Sequence, residues 1–270
     1  MSVAEVTYRR IAVPEALRGV VEHVWVLHQR GGPADTEVLL PDGRGLVLLT
    51  QGDPAVLVDP LTGERRAERP ALRGPWTHAL LRRQEGPGLR LGLQLHPLGP
   101  ARLRSGAAMA DTELSLDDLV GDVAQHAAAT LSAGDEDGAA RLLLEALAVR
   151  PEARSADLDR LDDVVARVDA ERGLVLPLDL ARYAGVQLAE LHRWCVALLG
   201  MSPGSYLSAV RFSAYVRERV GPGPVRLDAA VRALRWFMDP AYPAREVERF
   251  TGLAPAELRR LVERLERPSA

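Results

Sequence analysis

The sequence predicts an α+β protein with an N-terminal antiparallel β-sandwich or small barrel, a helical connector and a C-terminal all-helical domain. The chain of 270 residues exceeds the usual size of one domain, which favours two. Short β-branched runs closed by turn residues dominate up to about residue 100. From about residue 107 apolar residues recur at helical spacing instead. We place the β-rich domain at 1–105, the connector at 106–173 and the helical domain at 174–270.

The β-rich domain is predicted from alternating and β-branched runs that end at glycine, proline or aspartate. Asp42, between Pro41 and Gly43, is expected to shape a turn, although a ligand contact at the mouth of a barrel stays open. The predicted strands lie at residues 20–27, 37–40, 46–49, 55–58, 79–81 and 89–95.

The connector begins with a helix-start signal. Ser115 is the predicted N-cap, with Asp118 three residues later as a box-like partner. Further helices are predicted at 122–131, 136–148 and 158–171, and a linker at 151–157. The last helix carries one apolar stripe and ends at Gly173. The members of that stripe are Leu161, Val164, Val165 and Val168.

Composition and charge restrict the class of protein. A hydrophobic content of 47% with 26% charged residues fits a globular protein with a real core. No apolar run of about 18 residues occurs, so we expect a cytoplasmic protein without a membrane partner. One cysteine, Cys195, excludes an internal disulfide and a cysteine-based structural zinc site. We expect Cys195 to be a packed thiol, with a redox sensor as the alternative.

Positive charge is concentrated at the C-terminal end. Before Leu178 there are 20 arginines and 27 acidic residues, and from Leu178 onward 14 arginines and 10 acidic residues. The two parts therefore carry −7 and +4, which sum to the net charge of −3. A basic helical module joined to an acidic one is the arrangement of a DNA reader with a separate sensor.

The C-terminal domain starts with a helix-turn-helix pattern. A helix at 178–184 is followed by a turn at Gly185, and a second helix at 188–199 ends at Gly200. Glycine suits this turn because a positive φ costs it no strain. Taken alone, the pattern is a weak signal of nucleic-acid binding.

The residues that follow make the signal specific. Gly200, Ser202, Pro203 and Tyr206 form a Gly-x-Ser-Pro-x-x-Tyr segment, and Arg211 comes five residues later. The chain here resembles the AraC family, in which this segment and an arginine-bearing linker helix follow the first helix-turn-helix. The resemblance continues with a helix at 227–234, a turn at 236–237, a recognition helix at 239–249 and a closing segment at 250–255. It covers roughly the last 100 residues.

The N-terminal part is similar to an uncharacterised sensor-type domain found ahead of this module. The matching positions are Pro14, Trp25, the 40–43 turn, Gly74 and Pro75. Together the two resemblances imply a transcription regulator with two helix-turn-helix units that binds double-stranded DNA. They leave open a small-molecule effector and a homodimer.

The family's base-facing positions in the first unit fall on Ala189, His192 and Arg193. Arg193 can bond guanine O6 and N7 together, a contact worth about 1–3 kcal/mol of discrimination. The alternative is an ordinary solvated or salt-bridged helix arginine. The resemblance also assigns DNA contacts to Arg211, Tyr242 and Arg245.

The second unit departs from the family pattern. Trp236 stands where relatives often have glycine, so its turn is expected to be built without a positive φ. Pro243 is incompatible with the interior of a helix that begins at Pro240, so the helix is expected to start about one turn later. That would withdraw the tip carrying Tyr242 and leave Arg245 for a base or a phosphate. We predict that the first unit reads the DNA sequence, while the second mainly anchors the protein to DNA or has lost its part in DNA binding.

Two other classes of function were weighed. An enzyme is disfavoured because the chain lacks a Gly-x-Ser-x-Gly elbow, a phosphate-binding loop and a His-Glu-x-x-His motif, and no cofactor or metal is expected. The stronger alternative is a signal- or partner-binding protein that keeps the AraC fold without specific DNA binding. DNA reading gains if four arginines share one exposed face. They are Arg193, Arg211, Arg217 and Arg245.

Overall fold

The computed structural model describes residues 6–30, 35–104, 108–149, 155–221, 223–239, 243–251 and 253–266. Within these ranges it is an α+β protein with an antiparallel β domain followed by a helical domain, which confirms the predicted fold class. The larger sheet contains, in spatial order, β1 (Val6–Ile11), β2 (Val21–Gln29), β9 (Gly88–Leu95), β4 (Leu46–Gly52), β7 (Ala71–Arg73) and β10 (Glu113–Ser115). The smaller sheet contains β3 (Asp35–Leu39), β8 (Leu80–Gln84), β5 (Val56–Val58) and β6 (Arg65–Ala67).

The two faces of the larger sheet have different neighbours. Side chains alternate along a strand, so Val24 and Val26 of β2 lie on one face and Trp25 on the other. The first face is buried under three helices, α2 (Leu116–Val120), α3 (Val123–Ser132) and α4 (Glu136–Ala148). The second face, with Trp25 and Arg90, lines an internal cavity. A short helix, α1 (Gly99–Leu103), follows β9.

The predicted helix start at Ser115 is confirmed. Its hydroxyl accepts a hydrogen bond from the Asp118 backbone N–H at 3.0 Å, directly before α2. The predicted 151–157 linker falls largely outside the described ranges.

The helical domain runs from α5 (Ala156–Ala170) through α6 (Pro177–Tyr183), α7 (Leu188–Trp194) and α8 (Pro203–Val220). It continues with α9 (Leu227–Arg235), α10 (Ala244–Thr251) and α11 (Pro255–Glu266). The helices of the predicted connector pack in two different places. Helices α2–α4 share the core of the β domain, whereas α5 packs against the first helix-turn-helix. No helix in the described ranges is long and apolar enough to cross a membrane.

The two domains share packing and backbone hydrogen bonds. Val38 of β3 belongs to one apolar cluster with Val216 of α8 and Leu234 of α9. Its backbone N–H also donates to the carbonyl of Val225, at 2.7 Å, in the segment between α8 and α9. The smaller sheet is therefore extended at its edge by the segment that joins the two helix-turn-helix units.

Candidate DNA-reading surface and interdomain cavity

The first helix-turn-helix consists of α6, a turn at Gly185 and α7. Gly185 has φ +67°, the left-handed conformation that glycine adopts without strain, as the sequence predicts. Leu180, Leu191 and Trp194 are buried between α5 and these helices. This core fixes the rotation of α7 and so determines which of its side chains face outward.

The outward face of α7 carries the predicted reading residues. Ala189, His192 and Arg193 are all exposed, and they lie on one face because their spacing is three and four residues. Neither the His192 nor the Arg193 side chain has a hydrogen bond or ion pair with any residue in the described ranges. An exposed guanidinium without an acid partner is available to a base or a phosphate. DNA contact by these three residues stays a prediction.

After α7 the chain widens into a π-helical turn at Cys195–Leu199, and Gly200 ends it with φ +78°. Cys195 is buried, and burial raises the pKa of its thiol to about 12. A thiol in that environment stays protonated and inert at neutral pH. The predicted packed thiol is confirmed.

The predicted Gly-x-Ser-Pro-x-x-Tyr segment starts α8. The Ser202 hydroxyl caps the helix by accepting from the Ser205 backbone N–H at 3.1 Å, and Pro203 occupies the first turn. Tyr206 is buried against the β domain, where its ring meets Gly43. Each residue of this segment thus has a structural role.

Arg211 and Arg217 point in different directions although both belong to α8. Arg211 is half-buried, donates to the Ser208 hydroxyl at 3.3 Å and packs beside Gly173. Burial lowers the pKa of Arg211, while Glu248 raises it. Arg217 lines the cavity between the domains. Arg193, Arg211, Arg217 and Arg245 therefore do not form one exposed face, and the basic surface of the first unit is smaller than the sequence suggested.

The turn of the second helix-turn-helix is built differently from that of the first. Trp236 has φ −54° and begins a 3₁₀ turn, Trp236–Met238, in place of a glycine turn. Its helix, α10, starts at Ala244 directly after Pro243, about one turn later than Pro240 would allow. Arg245 is exposed on its first turn, and Tyr242 lies outside the described residues.

A cavity of about 800 Å³ separates the β domain from α8 and the segment that follows it. Its β-domain wall includes His23, Trp25, Arg90 and Gln94 from the larger sheet. Its helical wall is formed by Val210, Ser213, Ala214, Arg217, Gly223, Pro224 and Val225. The sequence analysis did not find this cavity. Its signal was present in β2 and β9, where polar or aromatic residues alternate with fully buried aliphatic ones.

Ion pairs at the mouth of the cavity connect the β domain to α5. Arg44 donates through Nε to Glu22 at 2.7 Å and through Nη2 to Asp169 of α5 at 2.6 Å. Asp42 forms the predicted turn, because its Oδ1 accepts from the Arg44 backbone N–H at 3.0 Å. Burial raises the pKa of Asp42, although the nearby arginines lower it. These contacts hold the mouth in one geometry.

His23 inside the cavity is neutral at physiological pH. Burial, and then the positive charges of Arg10, Arg44 and Arg217, lower its pKa from 6.5 to about 4. No group of three or more histidine, cysteine or acidic side chains in the described ranges could hold a metal ion.

No protein-family model matches the sequence, and no curated protein is similar to it. Among solved structures, the chain is similar to ToxT from Vibrio cholerae, with 9% sequence identity and a TM-score of 0.42 over 90% of this chain and 93% of that one. It is also similar to the AraC-like transcriptional activator CuxR, with 15% identity and a TM-score of 0.30 over 78% of this chain and 87% of that one.

Proposed function

We propose that the protein is a sequence-specific DNA-binding transcription regulator that reads double-stranded DNA mainly through α7. The observation that carries the proposal is the outward face of α7, where Ala189, His192 and Arg193 are exposed on a helix held rigidly by its buried face. A recognition helix needs both properties, because base edges are read by side chains at its free surface. We assign the anchoring of the duplex to α10, whose exposed Arg245 is placed to hold a phosphate.

The same proposal includes control by a small molecule in the cavity between the domains. Its helical wall is the segment that joins the two helix-turn-helix units, including Gly223 and Val225. That segment is hydrogen-bonded to β3 through Val38 and Val225. A ligand that displaced this segment would change the placement of α9 and α10 relative to α7. Such a change would alter how two recognition helices fit successive major-groove segments.

The test is fluorescence anisotropy of the full chain with duplex fragments from the region upstream of its own gene. Titrations at several salt concentrations count neutralised phosphates, and unrelated competitor DNA measures specificity. We expect saturable binding that resists competitor and that Arg193→Ala weakens about 5- to 100-fold. Arg141→Ala is the matched control, because Arg141 is an exposed helix arginine on α4, which packs on the β domain. Binding that ignores both sequence and Arg193 would contradict the proposal.

The second candidate is a signal- or partner-binding protein of the same fold without specific DNA binding. Two observations favour it: Arg211 is half-buried, and Arg217 lines the cavity. This candidate predicts ligand binding in the cavity together with weak DNA binding that shows no preference for sequence.

A further inference from the structure

The buried end of the cavity contains a network of arginines and glutamates. Glu68 accepts from Arg73 at 3.1 Å and from Arg82 at 2.7 Å, and both of its partners are almost fully buried. Glu37 accepts from Arg90 Nη2 at 2.8 Å. The carboxylates at this end are therefore already engaged by arginines of the same network.

Three donor nitrogens in the network make no hydrogen bond within the described ranges, and one of them, Arg73 Nε, lies 3.1 Å from Glu113 in an ion pair. The other two, Arg73 Nη2 and Arg90 Nε, belong to side chains that are only 2% and 7% exposed. Arginine has donors and no acceptor, so each orphan needs an oxygen from outside the network. A buried donor without a partner lowers the stability of the folded protein, and a charged donor lowers it more. Both residues line the cavity, which places the missing acceptor there.

A flat aromatic surface lies beside Arg90. Trp25 of β2 is paired with Gly92 of β9, and its indole covers the glycine so closely that a Cβ at position 92 would stand 2.2 Å from Trp25 Cζ2. The Arg90 guanidinium lies 5.7 Å from the centre of the Trp25 ring, and Tyr8 stacks on that ring from β1, with 6.4 Å between centroids. Tyr8, Trp25 and Arg90 thus lie on the same face of three neighbouring strands, and all three line the cavity.

We infer that the cavity binds a flat organic acid, with its carboxylate at the unpaired donor of Arg90 and its ring system against Trp25. A carboxylate supplies only acceptors, which matches the donor surplus, and charge-assisted bonds to arginine are the strong ones. A sugar or an amine would bring further donors to a place that needs none. The cavity volume of about 800 Å³ is in the range of small-molecule sites. This inference rests on the proposed ligand control and names the class of effector.

The test uses the full chain and three probe pairs, each a carboxylate with its neutral amide. They are benzoate with benzamide, trans-cinnamate with cinnamamide, and indole-3-acetate with indole-3-acetamide. Cyclohexanecarboxylate serves as the non-planar control for benzoate. Isothermal titration calorimetry and the melting temperature are both followed up to about 1 mM probe. We expect at least one flat acid to saturate, to raise Tm and to bind about tenfold or more tightly than its amide and, for benzoate, than cyclohexanecarboxylate.

Variants locate the site. Arg90→Gln should weaken binding of the acid about tenfold, whereas Arg141→Gln, a matched exposed arginine on α4 outside the cavity lining, should change it less than about twofold. Because Arg90→Gln removes a partner of Glu37, its circular dichroism and melting are measured first, and if it fails to fold the acid-against-amide comparison decides alone. Amides that bind as tightly as acids, or an Arg141→Gln variant that weakens binding as much as Arg90→Gln, would overturn the inference. So would a protein that binds its DNA specifically and no probe acid at all, a result that leaves the regulator proposal standing.

Discussion

Gly43 of the β domain lies directly against the ring of Tyr206 on α8. A Cβ at position 43 would stand 2.4 Å from Tyr206 Cε2, and Gly43 has φ +74°. The two residues come from different sequence motifs, the 40–43 turn and the Gly-x-Ser-Pro-x-x-Tyr segment. Glycine is therefore required at position 43 for two reasons. The backbone has a positive φ there, and the helical domain leaves no room for a Cβ.

Gly43→Ala should destabilise the protein through this contact. The alanine must strain the left-handed backbone and displace a buried ring, so we expect the free energy of unfolding in urea to fall by about 2–4 kcal/mol. Gly63→Ala is the control, because Gly63 has a similar φ of +78° and no atom within 4 Å of the added Cβ. It should lose only the backbone part, about 1–2 kcal/mol. Equal losses in the two variants would refute a tight Gly43–Tyr206 contact.

Stability should depend on pH through His23. Its pKa falls from 6.5 to about 4 on folding, so the unfolded chain binds more protons between those values. The contribution of the neutral imidazole to the free energy of unfolding is complete above pH 6.5 and is lost as the pH falls toward 4. We expect the free energy of unfolding to drop by about 2–3 kcal/mol from this group over that interval.

His23→Gln should flatten that pH dependence, as measured by urea unfolding at intervals between pH 7 and 4. His126→Gln, at an exposed position on α3, should leave the slope unchanged. Burial also lowers the pKa of His96, so part of the slope should survive in His23→Gln. A slope that His23→Gln does not alter would show that folding leaves the pKa of the imidazole unchanged, which would contradict the prediction.

Cys195 should be unreactive toward a thiol reagent in the folded protein. It is 2% exposed, and burial raises its pKa to about 12, so both access and the thiolate are lacking. Absorbance assays with an aromatic disulfide at pH 8 should show negligible labelling until denaturant is added. Cys195→Ala combined with Ser205→Cys, which moves the thiol to an exposed position, should label at once. Rapid labelling of native Cys195 would restore the redox-sensor alternative.

The sequence predicted the elements that carry strong patterns. Strands with aliphatic alternation, such as β2, β4 and β9, were located within a few residues, and so were the helices with one apolar stripe. Four strands were missed. β6, β7 and β10 have three residues each, too few to show a period, and β1 is an exposed edge strand with two arginines.

The sequence predicted the exposed face of α7 but not the cavity, and the difference has a physical reason. The exposed face of α7 follows from helical periodicity once Leu191 and Trp194 are placed in the core, so local sequence sufficed. The cavity depends on residues far apart in the chain, such as Arg90 and Val225, that meet only when the domains pack. The direction of Arg217 was likewise set by that packing. Periodicity within one segment contains no information on such contacts.

The most direct test of the central claim is a double-mutant cycle between Arg193 and the base pairs of the bound DNA. Each G·C pair of the preferred duplex is replaced in turn, and the dissociation constants of wild type and Arg193→Ala are measured at one fixed salt concentration. If α7 reads sequence through Arg193, one G·C pair should show a coupling energy of about 1–3 kcal/mol, while the other pairs show none. If no pair couples to Arg193, this residue does not read a base, and α7 is not the reader we propose.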